Sequence, residues 1–345
     1  MIRSRLAAST LSFRAALALA ALVGGTAACS PVTTSVAPTP QSTGVGGGIA
    51  AGAGAAVCSI FPADNIWNTR IDTVPVDANS AAYITTIGAS TGLHADFGAG
   101  QWNGGPIGIP SVSVLGSQAL VPMQFYYASE SDPGPYPYPP TAPIEGGASS
   151  TGDRHVLAIE TDHCKLYETW KSYPRSGGTS WRCGSGATWD LSSNALRPAG
   201  WTSSDAAGLP VYPGLVRYDE IAAGEIRHAI RFTCSKTRNL YIWPARHFAS
   251  SSSDPAYPPM GQRFRLKASF DVSSYSATNQ IILNAMKHYG MLLADSGSNW
   301  YVSGSPDARW NDDDLHDLGR VTGASFEAIN EASLMIDPNS GQARQ

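Results

Sequence analysis

Apolar and polar residues alternate with period two in several segments of this 345-residue chain. Over 225–233, Glu225, Arg227, Arg231 and Thr233 fall on one side and Ile226, His228, Ile230 and Phe232 on the other. Over 263–270, Arg263, Arg265 and Lys267 oppose Phe264, Leu266, Ala268 and Phe270. Successive side chains of a strand point to opposite faces, so both segments predict half-buried antiparallel strands. Segments 154–160, 165–170 and 240–243 read as further strands, the first two closing a hairpin through residues 161–164. One segment has the helical period: Ile281, Ile282, Ala285, Met286 and Tyr289 share a face between a Ser276 cap and a stop at Gly290. A second, shorter helix begins at Asp312, and Ser203, Gly208 and Pro210 mark a single helical turn, a device repeated over 219–224. With 35 Gly and 24 Pro breaking the chain into short pieces, the expected fold is mainly β: an antiparallel β-sandwich or jelly-roll-like domain with one or two appended helices.

The N-terminal apolar run, 15–23, is of another kind. It follows two early arginines, is too short for the roughly 20 residues a membrane helix needs, and leads into Gly24-Gly25-Thr26-Ala27-Ala28-Cys29. Residues 1–28 therefore read as a signal peptide, and Cys29, directly after the cut, as a lipid anchor. A type I cut after Ala28 is the competing reading. Residues 29–57 have the Ser, Thr, Pro, Gly and Ala composition of a flexible linker, 58–338 that of one globular domain, and 339–345 that of a disordered tail. The glycine-rich run at 44–54 lies in the linker and is no phosphate loop. The expected location is the cell envelope, as an outer-membrane lipoprotein, or else the periplasm or exterior. A net charge of −4 with only 14% charged residues speaks against nucleic acid and anionic headgroups as partners, so membrane contact is expected through the lipid alone. A monomer is expected.

Of five cysteines, giving Cys29 to lipid leaves four in an oxidising compartment. Cys164 and Cys183 flank a hairpin-like stretch, which predicts a Cys164 to Cys183 bridge and leaves Cys58 to pair with Cys234. No cysteine pair has the short spacing of a structural zinc site. The acidic run Asp312-Asp313-Asp314 is explained by the preference for aspartate at a helix start. Neither metal nor cofactor is expected.

Four of seven histidines, His155, His163, His228 and His247, fall between 155 and 247. His228 sits on an apolar strand face, where a hydrogen-bonded core histidine is the plain explanation. His247 follows Trp243-Pro244-Ala245-Arg246 at a strand end and is the better catalytic candidate. Glu168 shares a strand face with Leu166 and Trp170, and an acid among apolar neighbours has its proton held, as a general acid requires; a salt bridge to an adjacent strand is the competing explanation. Glu225 or Asp190 would supply the base or nucleophile, against a surface ion-pair ladder for the first and a turn cap for the second. Arg231 would hold substrate, with Trp170, Trp189 and Trp243 as stacking platforms among 9 Trp and 14 Tyr. Other aromatics are expected to pin loops to the core.

The run from Ser185 through Arg197-Pro198, Gly200-Trp201-Thr202, Asp205-Ala206-Ala207-Gly208-Leu209-Pro210 and Arg217-Tyr218-Asp219-Glu220 resembles a group of exported bacterial proteins to which no activity attaches. The resemblance covers most of 58–338, implies one domain and transfers no catalytic residue. The function expected from the residues is cleavage of a polysaccharide or cell-surface glycan by carboxylate acid/base chemistry, as a glycoside hydrolase or a polysaccharide lyase. In the lyase variant His247 or a tyrosine removes a proton and Arg231 neutralises a uronate. The alternative is a non-catalytic surface lipoprotein that binds glycan or an envelope protein. No serine or cysteine sits in a recognisable nucleophile setting, which sets hydrolysis of peptides or esters aside.

Overall fold

A computed structural model of the chain describes residues 58–345; the expectations for the signal peptide, Cys29 and the linker lie outside them. The protein is mainly β with few helices. Its largest sheet has six strands in the order His94–Asp96, Tyr301–Ser303, Ile230–Cys234, Met291–Ser296, Arg263–Leu266, Phe326–Ala328. A four-stranded sheet runs Ser185–Asp190, Lys165–Trp170, Val156–Glu160, Ser111–Val114, and a three-stranded one Met123–Phe125, Ser180–Cys183, Tyr173–Arg175. The hairpin expected around 161–164 is present, with Val156–Glu160 antiparallel to Lys165–Trp170.

Pairing is mixed rather than purely antiparallel. His94–Asp96 lies parallel to Tyr301–Ser303, and Ile230–Cys234 parallel to Met291–Ser296. A parallel pair needs a long crossover, and here the connection carries strand Arg263–Leu266 and helix Ala277–His288. Central parallel strands are covered on both faces and read as continuous apolar runs, as Met291 to Ala294 do, all fully buried. The helix is capped by Ser276, whose hydroxyl accepts from Asn279 N, and buries Ile282, Leu283, Ala285 and Met286. Gly290 ends it at φ +70°, where a Cβ would stand 2.5 Å from the Phe264 carbonyl oxygen, so only glycine fits.

The covered second face also corrects the half-buried reading of 263–270. Arg263 is fully buried, its guanidinium donating to the carbonyls of Ile66, Thr69 and Tyr289 and to Glu331 at 2.9 Å. Four acceptors around one planar fork satisfy a charge that burial would otherwise expel. His228 is buried as a core histidine, Nδ1 at 2.8 Å from the Ala229 carbonyl and Nε2 against Arg217 and Glu220. Residues 339–345 are docked, contrary to the expected tail. Gln342 bridges to Asn65, Ala195 to Ser340 and Met335 to Ala343, and Gly341 N donates to the Asn194 carbonyl at 2.6 Å.

The disulfide joins Cys58 to Cys164, and Cys183 and Cys234 are buried free thiols. Both expected pairings are therefore corrected. Cys164, in the hairpin turn at φ +51°, has its Cα 5.5 Å from that of Cys58. Cys183 points into a separate core with Trp181 and Tyr138, while Cys234 is interior to the large sheet. Burial pushes their thiols up, to about 11 and about 12 respectively. Among the described residues no helix is long and apolar enough to cross a membrane.

Peptide mapping under non-reducing conditions should recover Cys58 linked to Cys164, with Cys183 and Cys234 alkylated only in denaturant. Because the bridge closes a separation of 106 residues, Cys58→Ser should lower unfolding free energy by about 2–5 kcal/mol; a change well under 1 kcal/mol by denaturant titration would contradict the pairing's structural role.

Candidate functional site

Strand register brings charge together on one face of the large sheet. Asp96 pairs with Ser303, and Arg231 Nη1 donates to Ser303 Oγ at 2.8 Å. Arg231 is aligned with Leu292, and Phe232 with Leu293, but Thr233 is aligned with Asp295. Ala294 is thus an extra residue, a β-bulge. In an uninterrupted ladder Ala294 would stand beside Thr233 and Asp295 would face the opposite side. The bulge turns Asp295 onto the side shared by Thr233 and Arg231, where its Oδ2 lies 3.6 Å from Arg231 Nη2.

The same bulge anchors the loop that carries a second acid. The Ala294 carbonyl accepts from Ala207 N at 3.0 Å. Asp205 Oδ1 accepts from Ala207 N and Leu209 N at 3.0 and 3.1 Å, and Ser203 Oγ accepts from Asp205 N at 3.0 Å. Gly208 closes the turn at φ +68°, where a Cβ would meet the Trp201 carbonyl oxygen at 2.5 Å. Asp205 Oδ2 is left with no hydrogen-bond partner among the described residues and stands 3.9 Å from Arg231 Nη2, itself without one. The Asp205 side chain is 0% exposed and that of Asp295 20%. Burial pushes both carboxyls up, against the pull of Arg231, so the pair holds its protons more tightly than free aspartates.

Asp205 and Asp295, with Ser203, Ser204, Ala206 and Ser296, line the floor of a 560 Å³ cleft. Its walls include Glu130, Asp153, His247, Tyr127 and Trp170. His247 Nδ1 lies 2.8 Å from the Ala206 carbonyl, which places its proton there, and Nε2 is 3.9 Å from Glu130 Oε2. The Trp170 indole N–H donates to Asp153 Oδ1 at 2.9 Å. Among the described residues no three His, Cys, Asp or Glu side chains converge as metal ligands. No protein-family model, curated protein or solved structure matches this chain. The site is therefore read from its own chemistry.

Of the expected site residues, the structure gathers His247, Trp170 and Arg231 here, with Arg231 beneath the cleft floor, committed to the two aspartates. Glu168 lies behind it. Fully buried, Glu168 accepts from Val211 N and Tyr212 N at 3.0 and 2.7 Å, from Ser204 Oγ and from the Trp189 indole. Burial raises its carboxyl, as the sequence implied, but its oxygens are occupied in holding the loop that presents Asp205. Trp189 is buried beside it and offers no face. Trp243 donates its indole N–H to the Ser340 carbonyl at 2.7 Å and lines no part of the cleft. Glu225 pairs with Arg227 on the surface, and Asp190 caps its own turn through Ser192, which holds its carboxyl low. Both take the plain explanations. Tyr212 and Trp310 are buried loop pins, and Trp181 is buried on strand Ser180–Cys183.

Asp205 and Asp295 escaped sequence reasoning. Asp205 carries the local signature of a turn cap, and Asp295 has no signature, since a bulge follows from pairing with another strand.

His155 braces the far side of the loop. Its Nε2 lies 2.8 Å from the Ser204 carbonyl and its Nδ1 2.7 Å from Glu145 Oε2, so both nitrogens donate and the ring is an imidazolium. Burial opposes the charge, but Glu145 outweighs it and holds His155 at about 9 against the usual 6.5. Its contribution to stability is complete below pH 6.5 and lost as pH rises through about 9. Denaturant titrations should show stability falling over that window by on the order of 3 kcal/mol, a slope absent from His155→Asn; a flat wild-type profile would refute the ion pair. Glu168→Gln, which sets an N–H₂ against donors, should cost about 1–3 kcal/mol, whereas Glu225→Gln and Asp190→Asn should stay within about 1 kcal/mol.

Proposed function

We propose that this chain is an exported carbohydrate-active enzyme that hydrolyses a glycan in the cleft over Asp205 and Asp295. The observation that carries the reading is the acid pair on one guanidinium at an aromatic-walled cleft, with Asp205 Oδ2 buried there and unpartnered among the described residues. Both carboxylates sit within 3.9 Å of the same Arg231 nitrogen, which keeps them inside the roughly 9.5 Å limit for a glycosidase acid and its partner. Asp205, the more buried, keeps its proton and gives it to the glycosidic oxygen as the C–O bond breaks. Asp295, more exposed and receiving the Ser296 N–H at 2.7 Å, is the base that activates water or the nucleophile that bonds the anomeric carbon. His247 and Trp170 hold the sugar.

The lyase variant is disfavoured at this position. Arg231 is engaged with two carboxylates, and Glu130 and Asp153 add negative charge around any uronate placed on the floor. The Cys58–Cys164 disulfide supports an oxidising compartment, and hence export, with Cys29 as the proposed anchor. Tyr126 at 82% and Trp102 at 72% exposure favour the second reading, a glycan-binding surface protein without catalysis.

The purified protein should release reducing ends from at least one member of a panel of neutral and uronate polysaccharides. Asp205→Asn and Asp295→Asn should each lower that rate about 10²–10⁴-fold with unchanged thermal unfolding. Equal rates for wild type and both variants would remove these residues from the chemistry, and binding without cleavage across the panel would establish the binding protein instead.

A further inference from the structure

The cleft continues beyond its aromatic wall. Tyr127 and Trp170 also line a second cavity of 620 Å³, so the two cavities meet along these two rings, whose centroids are 6.4 Å apart. The compartments differ in charge. The first presents Glu130, Asp153, Asp205 and Asp295; the second presents Lys171 and Arg182 and no carboxylate. Neither cation has an ion-pair partner among the described residues. Lys171 Nζ donates to the Gly152 carbonyl at 2.9 Å and stands 5.5 Å from the centre of the Trp170 ring, with two donors to spare. Arg182 is exposed on strand Ser180–Cys183, its guanidinium 6.0 Å from the Tyr173 ring and its fork free. Gly184 fixes the floor: a Cβ there would lie 2.2 Å from Trp170 Cε3, so the indole rests directly on backbone.

We propose that the Lys171–Arg182 compartment is a binding subsite for a carboxylate-bearing sugar, adjoining the acid compartment across the Trp170 ridge. Charge complementarity selects the occupant. An anionic ring is repelled from the acids of the first compartment, Glu130, Asp153 and Asp295, and received by two unpaired cations, one with the planar fork that matches a carboxylate. The ligand is therefore a glycan in which a uronate, or a sugar of like charge, neighbours an uncharged ring, with Trp170 and Tyr127 offering stacking faces between them. This rests on the glycan-cleaving reading only for placing the reacting bond at the uncharged ring.

The test uses the whole protein with a hyaluronan hexasaccharide, which alternates uronate with an uncharged ring, and with the same hexasaccharide after carboxyl reduction. Calorimetry measures binding, and reducing-end release is followed separately. Wild type should bind the acidic form at least about tenfold more tightly. Arg182→Met and Lys171→Met, which keep most of the stem, should each weaken the acidic form about tenfold and leave the reduced form unchanged, while Arg175→Met, on the neighbouring strand and outside both cavities, should change neither. Equal affinity for the two forms, a preference untouched by either variant, or no binding of either form overturns the subsite. An acidic preference lost in the variants with no cleavage by wild type upholds the subsite and sinks the hydrolase. Cleavage that needs Asp205 with no acidic preference does the reverse.

Discussion

One extra residue in one strand governs the candidate site. Ala294 has no opposite number on Ile230–Cys234, and that mismatch does two things. It reverses the side on which Asp295 emerges, and it frees a carbonyl to hold Ala207 and so the turn that presents Asp205. Without it Arg231 would face no carboxylate from its neighbouring strand, and a lone guanidinium in the interior is a state proteins avoid. A bulge beside a reactive pair spends ladder regularity on aiming a side chain.

Around that centre, buried polar groups serve as struts. Glu168 holds Val211, Tyr212 and Ser204 from the four-stranded sheet, His155 holds Ser204 from just before the neighbouring strand Val156–Glu160, and Arg263 ties the segment at 66–69 to the large sheet. Each is saturated with partners, which is what allows a charged or raised-affinity group to stay inside. Among the described residues only Asp205 Oδ2 and the Nε and Nη2 of Arg231 break this pattern at the cleft. That contrast separates the residues that build the cleft from those available to react. It also explains why Glu168, with its raised proton affinity, is a positioning residue: both of its oxygens are already committed to protein donors.

Much of the fold was legible along the chain. Period two located strands at Lys165–Trp170, Ile230–Cys234 and Arg263–Leu266, the 3.6-residue face located Ala277–His288, and the acidic start located Asp312–His316. Helix Ser80–Ile87 was not, because its apolar positions make no strong stripe. The strands' faces were misjudged for 263–270, since alternation records what one face buries and is silent about a second layer formed by distant residues 66–74.

The sequence by itself determined element type, the mainly-β class, the abundance of aromatic side chains and the concentration of acids, histidines and arginines between 155 and 247, because each depends on neighbours a few residues away. It brought His247, Trp170 and Arg231 into consideration on those grounds, and the fold places all three at or beneath one cleft. Only the tertiary structure decided that Cys58 meets Cys164, that residues 339–345 dock beside Asn65, that Glu225 and Asp190 face solvent, and that Asp205 and Asp295 converge on Arg231. These outcomes turn on strand register and on contacts between distant positions, such as Asp64 and Gln342, 278 apart. A one-residue change in register moves a carboxylate from one face of a sheet to the other while leaving every local pattern intact.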